Sequence, residues 1–246
     1  RGSGSIQASG EVASLFEGLT AANLESATFV YRGDEVRLAR DDDGWRVNGY
    51  PADPVTTSRF AAGIGDLRVG DLTASNPDNH ARMGVTVDSA ISVTLVGGGE
   101  SPSFLLGNTG SRFGTAYLRL ADSDDVYLLD GDLRSHATRA VDAWRSRTMA
   151  TVDTSSIEEI EVRSSAAGYT IMRADSAWVL SDGASADPDA VQGILSELSN
   201  FMATGFVSEG DDLAGEPEAS ATIARSADGT ELVTITLGAG ASRVVM

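Results

Sequence analysis

The stretches DDDGWRVNGYPADP (residues 41–54) and ADSAWVLSDGASADPD (174–189) run in the same order: a polar turn, a tryptophan, a second turn, then Ala-Asp-Pro. Trp45 and Trp178 stand 133 positions apart, and the pair Asp53-Pro54 recurs as Asp187-Pro188 at an offset of 134. An alternating segment precedes each tryptophan, EVRLAR (35–40) and GYTIMR (168–173), ending in Arg40 and Arg173. Beyond each Asp-Pro lies an i, i+4, i+7 apolar series: Phe60, Ile64 and Leu67 first, then Ile194, Leu198 and Phe201. Farther on, SFLLG (103–107) matches TITLG (234–238). Several matches kept in one order imply an internal duplication.

The physical sense of the motif is local. An aspartate before a helix accepts hydrogen bonds from the unpaired amides of the first turn. Proline suits the first helical position, where its missing N–H costs nothing and its φ is already set. Ala-Asp-Pro is therefore a helix start, predicting helices from Pro54 to about Leu67 and from Pro188 to about Met202. The tryptophan belongs to the second strand of a hairpin, where its ring would cover the seam between sheet and incoming helix.

The fold expected is α+β, with two tandem similar units. Each is a mostly antiparallel sheet with a helix packed on one face, and the second unit is incomplete at its C-terminal end. Residues 1–24 read as a flexible tether, 25–150 as the first unit and 151–246 as the second. Strands are expected at 27–31, 35–40, 45–47, 91–96, 103–107, 116–120 and 126–130, with a loop through ASNPDNHARMG and a helical closing segment over 133–144. In the second unit they are expected at 157–162, 169–173, 178–180, 221–225 and 232–238. GAGASRVVM there matches GNTGSRFGTAYL of the first unit, which predicts that the last two strands and the closing segment are missing and leave an open sheet edge.

Composition excludes several classes of function. The formal net charge of −18 disfavours nucleic acid and anionic lipid, both of which are bound through basic patches. All 18 basic residues are arginine. With no cysteine, disulfides, thiol catalysis and thiolate metal sites are ruled out together, and two histidines leave little for an imidazole metal centre. No run approaches the ~18 apolar residues that span a bilayer.

Taken together, the arginine-ending strand, the Trp45 strand, the Ala-Asp helix start and the Gly84-containing loop resemble the DUF4340 family. The Leu-Gly strand, Ala116-Tyr117-Leu118, Val126-Tyr127 and Trp144-Arg145-Ser146-Arg147 extend the resemblance, which covers residues 25–246. It implies tandem repeats on a single-pass membrane-anchored protein outside the cytoplasm, associated with ABC-transporter components similar to those of the gliding-motility system. The family brings no catalytic residues to carry over. Relative to its usual pattern the chain lacks an N-terminal membrane helix and the end of the second repeat, so any anchor would lie outside these residues.

No local signature of chemistry stands against that reading. The acidic runs at 41–44, 122–125 and 209–212 lack the spaced ligands and distant glutamate of a calcium loop and read as solvated turns. GNTGSRFG (107–114) has the glycines of a phosphate cradle but leads into a strand, so it reads as a hairpin connection. His80 and His136 have no nucleophile elbow beside them. The one basic concentration, Arg134, Arg139, Arg145 and Arg147, would dock an acidic partner or an anionic ligand, or form salt bridges with Asp132 or Asp142. The expectation is a non-enzymatic, extracytoplasmic accessory or scaffold subunit of an ABC-transporter-linked envelope complex, with no cofactor, metal or nucleic acid. Its partners would be permease or auxiliary subunits, and Trp45, Asp53, Pro54, Trp178, Asp187 and Pro188 would mark the repeated structure. The alternatives are a small-molecule or glycan-binding module using a cleft between repeats, and a self-assembling surface protein.

Overall fold

The computed structural model describes residues 10, 12–163, 168–206, 220–238 and 241–245. The chain divides into two units, with the boundary between Ser146 and Arg147. This is a few residues earlier than the boundary expected from the sequence.

In the first unit the strands are β1 (Leu24–Tyr31), β2 (Asp34–Asp41), β3 (Gly44–Val47), β4 (Tyr50–Pro51), β5 (Arg68–Ala74), β6 (Ile91–Gly97), β7 (Ser103–Thr109), β8 (Thr115–Arg119) and β9 (Val126–Asp130). Alternation puts them in a sheet: in β6, Ile91, Val93 and Leu95 are buried while the residues between them are only half-buried. Tight turns fix the hairpins. Arg32-Gly33 (φ 54° and 93°) and Asn48-Gly49 (φ 47° and 87°) adopt the left-handed pair that matches strand twist. The nine strands form one antiparallel sheet in the order β4-β3-β2-β1-β6-β7-β8-β9-β5. Helix α1 (Pro54–Gly65) connects β4 at one edge to β5 at the other, burying Thr57, Phe60, Ala61 and Ile64. Its core is shared with Leu38, Val47, Phe29, Leu133 and Trp144.

A smaller cluster of Met83, Val85 and Val126 lies under the loop after β5. That loop contains a 3-10 turn (Pro77–Asn79) and a short helix α2 (His80–Met83). Its approach to the sheet is close enough to demand glycine: a Cβ on Gly107 would meet the Met83 carbonyl oxygen and Val85 Cγ1, each at 2.5 Å.

The second unit contains β10 (Thr148–Ala150), β11 (Glu159–Arg163), β12 (Tyr169–Ala174), β13 (Ala177–Leu180), β14 (Phe201–Met202), β15 (Ser220–Arg225), β16 (Glu231–Gly238) and β17 (Ala241–Val245). Six of them make an antiparallel sheet in the order β13-β12-β11-β15-β16-β17, and β10 pairs with β14. The helix after Asp187, which follows α3 (Leu133–Ala137) in chain order, is α4 (Pro188–Ser199). Ile157, Ile160, Ile171, Val191, Leu198, Ala224 and Val233 form the core.

The chain is therefore α+β with mostly antiparallel sheets. Several expectations need correction. Residues 12–24 are not a tether: Val12, Leu19 and Leu24 are buried, and Phe16 meets Phe104 edge-on at 5.2 Å. Both Asp-Pro helices end before the last member of their apolar series. Leu67 and Phe201 enter their cores from just beyond the last turn, Phe201 on a strand opposite Ala150. Strands β4 and β5 occupy segments given no strand, because β5 has a broken register and little burial to signal it. Only 133–137 of the closing segment is α-helical; a 3-10 turn at Val141–Ala143 follows. The second unit does not stop at β16, since β17 pairs with it along Thr234–Gly238.

Candidate functional site

The repeated motif builds the same local arrangement in each unit. Arg40 lies opposite Trp45 in register, and Arg173 opposite Trp178. The Ala52 N–H donates to the Trp45 carbonyl at 2.9 Å, and the Ala186 N–H to that of Trp178 at 3.0 Å. Asp53 (φ −66°, ψ 119°) accepts from the Thr56 N–H at 2.7 Å, and Asp187 (φ −67°, ψ 117°) from the Asp189 N–H at 3.0 Å. Pro54 and Pro188 begin their helices. Both tryptophans are half-buried and pack on their unit's core, Trp178 with the Arg173 guanidinium over its ring at 4.9 Å. Arg40 donates to the Ala22 carbonyl, and Arg173 to those of Ile157 and Thr154, so each arginine ties its hairpin to the chain before the first strand.

Three of the four arginines of the basic segment make separate side-chain contacts. Arg134 donates to the Gly107 carbonyl. Arg139 is exposed with its guanidinium 5.8 Å over the Trp144 ring. Arg145 pairs with Asp142 at 3.3 Å and stacks over Tyr50 at 4.0 Å. Arg147 is exposed and begins the second unit, where its carbonyl accepts from the Ala203 N–H at 2.7 Å.

What the sequence did not signal is the role of Trp144. It is fully buried, edge-on to Phe60 at 5.4 Å and 5.7 Å from His136. Its backbone extends the sheet past β4: the Asp53 N–H donates to the Trp144 carbonyl at 2.7 Å and the Ser146 N–H to that of Pro51 at 2.8 Å, around an Ala52–Arg145 bridge. The closing segment thus seals the seam between β4 and α1. The indole N–H and His136 Nδ1 are buried without hydrogen-bond partners. Burial, helped by the Arg139 charge and opposed by Asp132, holds the His136 pKa below its ordinary value.

The second unit has an open groove of about 380 Å³ beside α4. Its floor is Ile171, Leu180, Val191 and Ile194, and its rim includes Tyr169, Ser185, Asp187 and Ala190. Tyr169 is 47% exposed. The only ionisable side chains lining it are the Tyr169 phenol and the Asp187 carboxylate, which is already used as a helix cap. Apart from these two groups and the Ser185 hydroxyl, the side chains lining it are apolar.

The remaining polar groups are structural. His80 Nε2 lies 2.9 Å from the Asp124 carbonyl oxygen. Buried Arg119 donates to the carbonyls of Val85, Leu120, Ala121 and Ser123. Asp41 pairs with Arg46, which lowers its pKa, and closes its turn by accepting from the Asp43 N–H. Ser123 accepts from Asp125 within the second acidic run, while the run at 209–212 lies outside the described residues. Among the described residues no three His, Asp or Glu side chains gather as a metal site, and neither histidine bonds to a serine.

The profile of one family, described as "Domain of unknown function (DUF4340)", matches residues 45–224, a range that crosses the boundary between the two units. Comparison with curated proteins and with solved structures finds no match. No helix among the described residues is long and apolar enough to cross a membrane.

Proposed function

We infer that this chain, which belongs to the DUF4340 family, is a non-enzymatic accessory or scaffold subunit that docks other proteins of an ABC-transporter-linked complex on the extracytoplasmic side of the envelope. It would do so with two tandem copies of one α+β plan. The tandem reading draws support from strand order: β3-β2-β1-β6-β7-β8 in the first unit has the sequence of connections of β13-β12-β11-β15-β16-β17 in the second. The paired Arg–Trp registers and the two Asp-Pro caps add to it.

The observation that carries a docking role is the apolar groove against α4, with Asp187 as its one carboxylate. A photo-crosslinking residue placed at the exposed Ala190, in the native host, tests it. Cross-links to a permease or auxiliary component, identified by mass spectrometry, are expected. Recovery of the native complex without any transporter component would overturn the assignment.

A further inference from the structure

We propose that a polar groove of the first unit, between the β7–β8 turn and α3, binds a neutral saccharide, with one sugar ring stacked on Phe113. The inference goes beyond the docking role and does not depend on it, since every residue involved belongs to the first unit.

The turn holds an aromatic ring out in water. The Arg112 carbonyl closes it by accepting from the Thr115 N–H at 3.3 Å and from the Thr115 hydroxyl at 2.7 Å. Phe113 and Gly114 form the tip, with Gly114 at φ 73°, where a side chain would be strained. Two ties from β9 and its end fix the turn: the Gly131 N–H donates to the Gly114 carbonyl at 2.9 Å, and the Arg112 guanidinium pairs with Asp130 at 3.0 Å. Phe113 is nevertheless 105% exposed and belongs to none of the core clusters. A ring so placed adds nothing to the fold by burial, and its apolar face is available to a ligand.

Behind that ring the groove is polar. Its volume is about 290 Å³. That is the small end of the range for ligand sites, about 300–1,000 Å³, which suits one sugar ring and little more. Asp132 precedes α3 without capping it, which leaves its exposed carboxylate as an acceptor on the groove. Arg134 commits one N–H to the Gly107 carbonyl and keeps further donors in the same rigid plane. The hydroxyls of Thr115, Ser135 and Thr138 donate to the carbonyls of Arg112, Asp132 and Arg134 at 2.7, 3.0 and 3.0 Å, so they present lone pairs to a ligand.

This set discriminates between ligand classes. An apolar molecule would strip water from Asp132 and Arg134 and replace none of their hydrogen bonds. An anion would meet Arg134 but also Asp132, on a chain of net charge −18. Adjacent sugar hydroxyls can donate to a carboxylate and accept from a guanidinium at once. The C–H face of the same ring then lies on the negative π face of Phe113.

The probes are the methyl glycosides of glucose, galactose, mannose and N-acetylglucosamine, titrated into the full chain and followed by amide chemical shifts. At least one should bind, with its shifts centred on 109–115 and 131–138. Phe113→Ala should weaken binding about tenfold or more without moving the thermal midpoint, since the ring is outside the core. Asp132→Ala, also at an exposed position, should weaken it by a similar factor. Absence of shifts with all four glycosides would overturn the proposal, as would binding that neither variant weakens. Tighter binding of inorganic phosphate or methyl glucuronide than of any neutral glycoside would assign the groove to an anion and overturn it equally.

Discussion

Replacing Trp144 with alanine tests whether the closing segment holds the first unit together. The ring is fully buried and touches Phe60 edge-on. Truncating a buried tryptophan to alanine costs about 3–5 kcal/mol, through lost transfer energy and the cavity left behind. A correction runs the other way: the buried indole N–H has no partner, and an unsatisfied donor already costs the native state about 1–3 kcal/mol. The net loss should therefore fall below that range, at about 2 kcal/mol. Trp144→Phe separates the two contributions, because it keeps an aromatic ring against Phe60 and discards the stranded donor. It should stay within about 1 kcal/mol of wild type. Urea unfolding combined with amide exchange at Phe29, Leu38 and Val47 would report the first unit, and exchange at Ile160 and Ile171 the second. If Trp144→Ala cost under about 1 kcal/mol, or Trp144→Phe were as damaging as alanine, the account of the sealed seam would be wrong.

Three more expectations concern single sites. Asp53→Ala and Asp187→Ala should each lower stability by about 0.5–2 kcal/mol in urea melts, since each removes a helix cap; no effect in either would remove the capping role. His136 has a folded pKa below its unfolded value, so protons favour the unfolded chain. Its contribution is complete above the ordinary histidine pKa and is lost as pH falls through that value toward the lowered one. The urea midpoint should accordingly drop between about pH 7 and 5, and His136→Phe should flatten that slope. Gly107→Ala should destabilise by about 1–3 kcal/mol, because its Cβ would press on the Met83 carbonyl. Gly63→Ala, inside α1 with open space around it, should stabilise by about 0.5–1 kcal/mol, so thermal melts of the two should move in opposite directions.

Much of this architecture was legible because its signals are local. Asp53-Pro54 and Asp187-Pro188 cap helices with side-chain and backbone groups a few residues away, so their meaning is written in the neighbouring letters. The alternation of β6 is readable for the same reason. The Asn48-Gly49 turn was equally explicit, but the strand after it is two residues long and exposed, too short for a periodic signal. Trp144 was invisible as a core residue because its partners, Phe60 and Asp53, lie more than eighty positions back. The groove was beyond reach for a related reason. Ile171, Leu180 and Ile194 line it as a set gathered from two strands and a helix, and no letter in those positions says that they share one surface.

The path of α1 has a geometric result for the first unit. Laid flat, nine strands at a spacing of ~4.8 Å would hold their two borders about 38 Å apart. A twelve-residue helix covers only about 18 Å; the Asp66 and Leu67 N–H groups bond back to the Gly63 and Ile64 carbonyls and keep those two residues coiled, and the four remaining steps add at most about 3.3–3.6 Å each, so the chain between Pro51 and Arg68 reaches about 34 Å and falls short of that span. The layer must roll around its own connector like a half-closed hand, and shortening that connector by one turn would tighten the roll instead of merely trimming a surface loop.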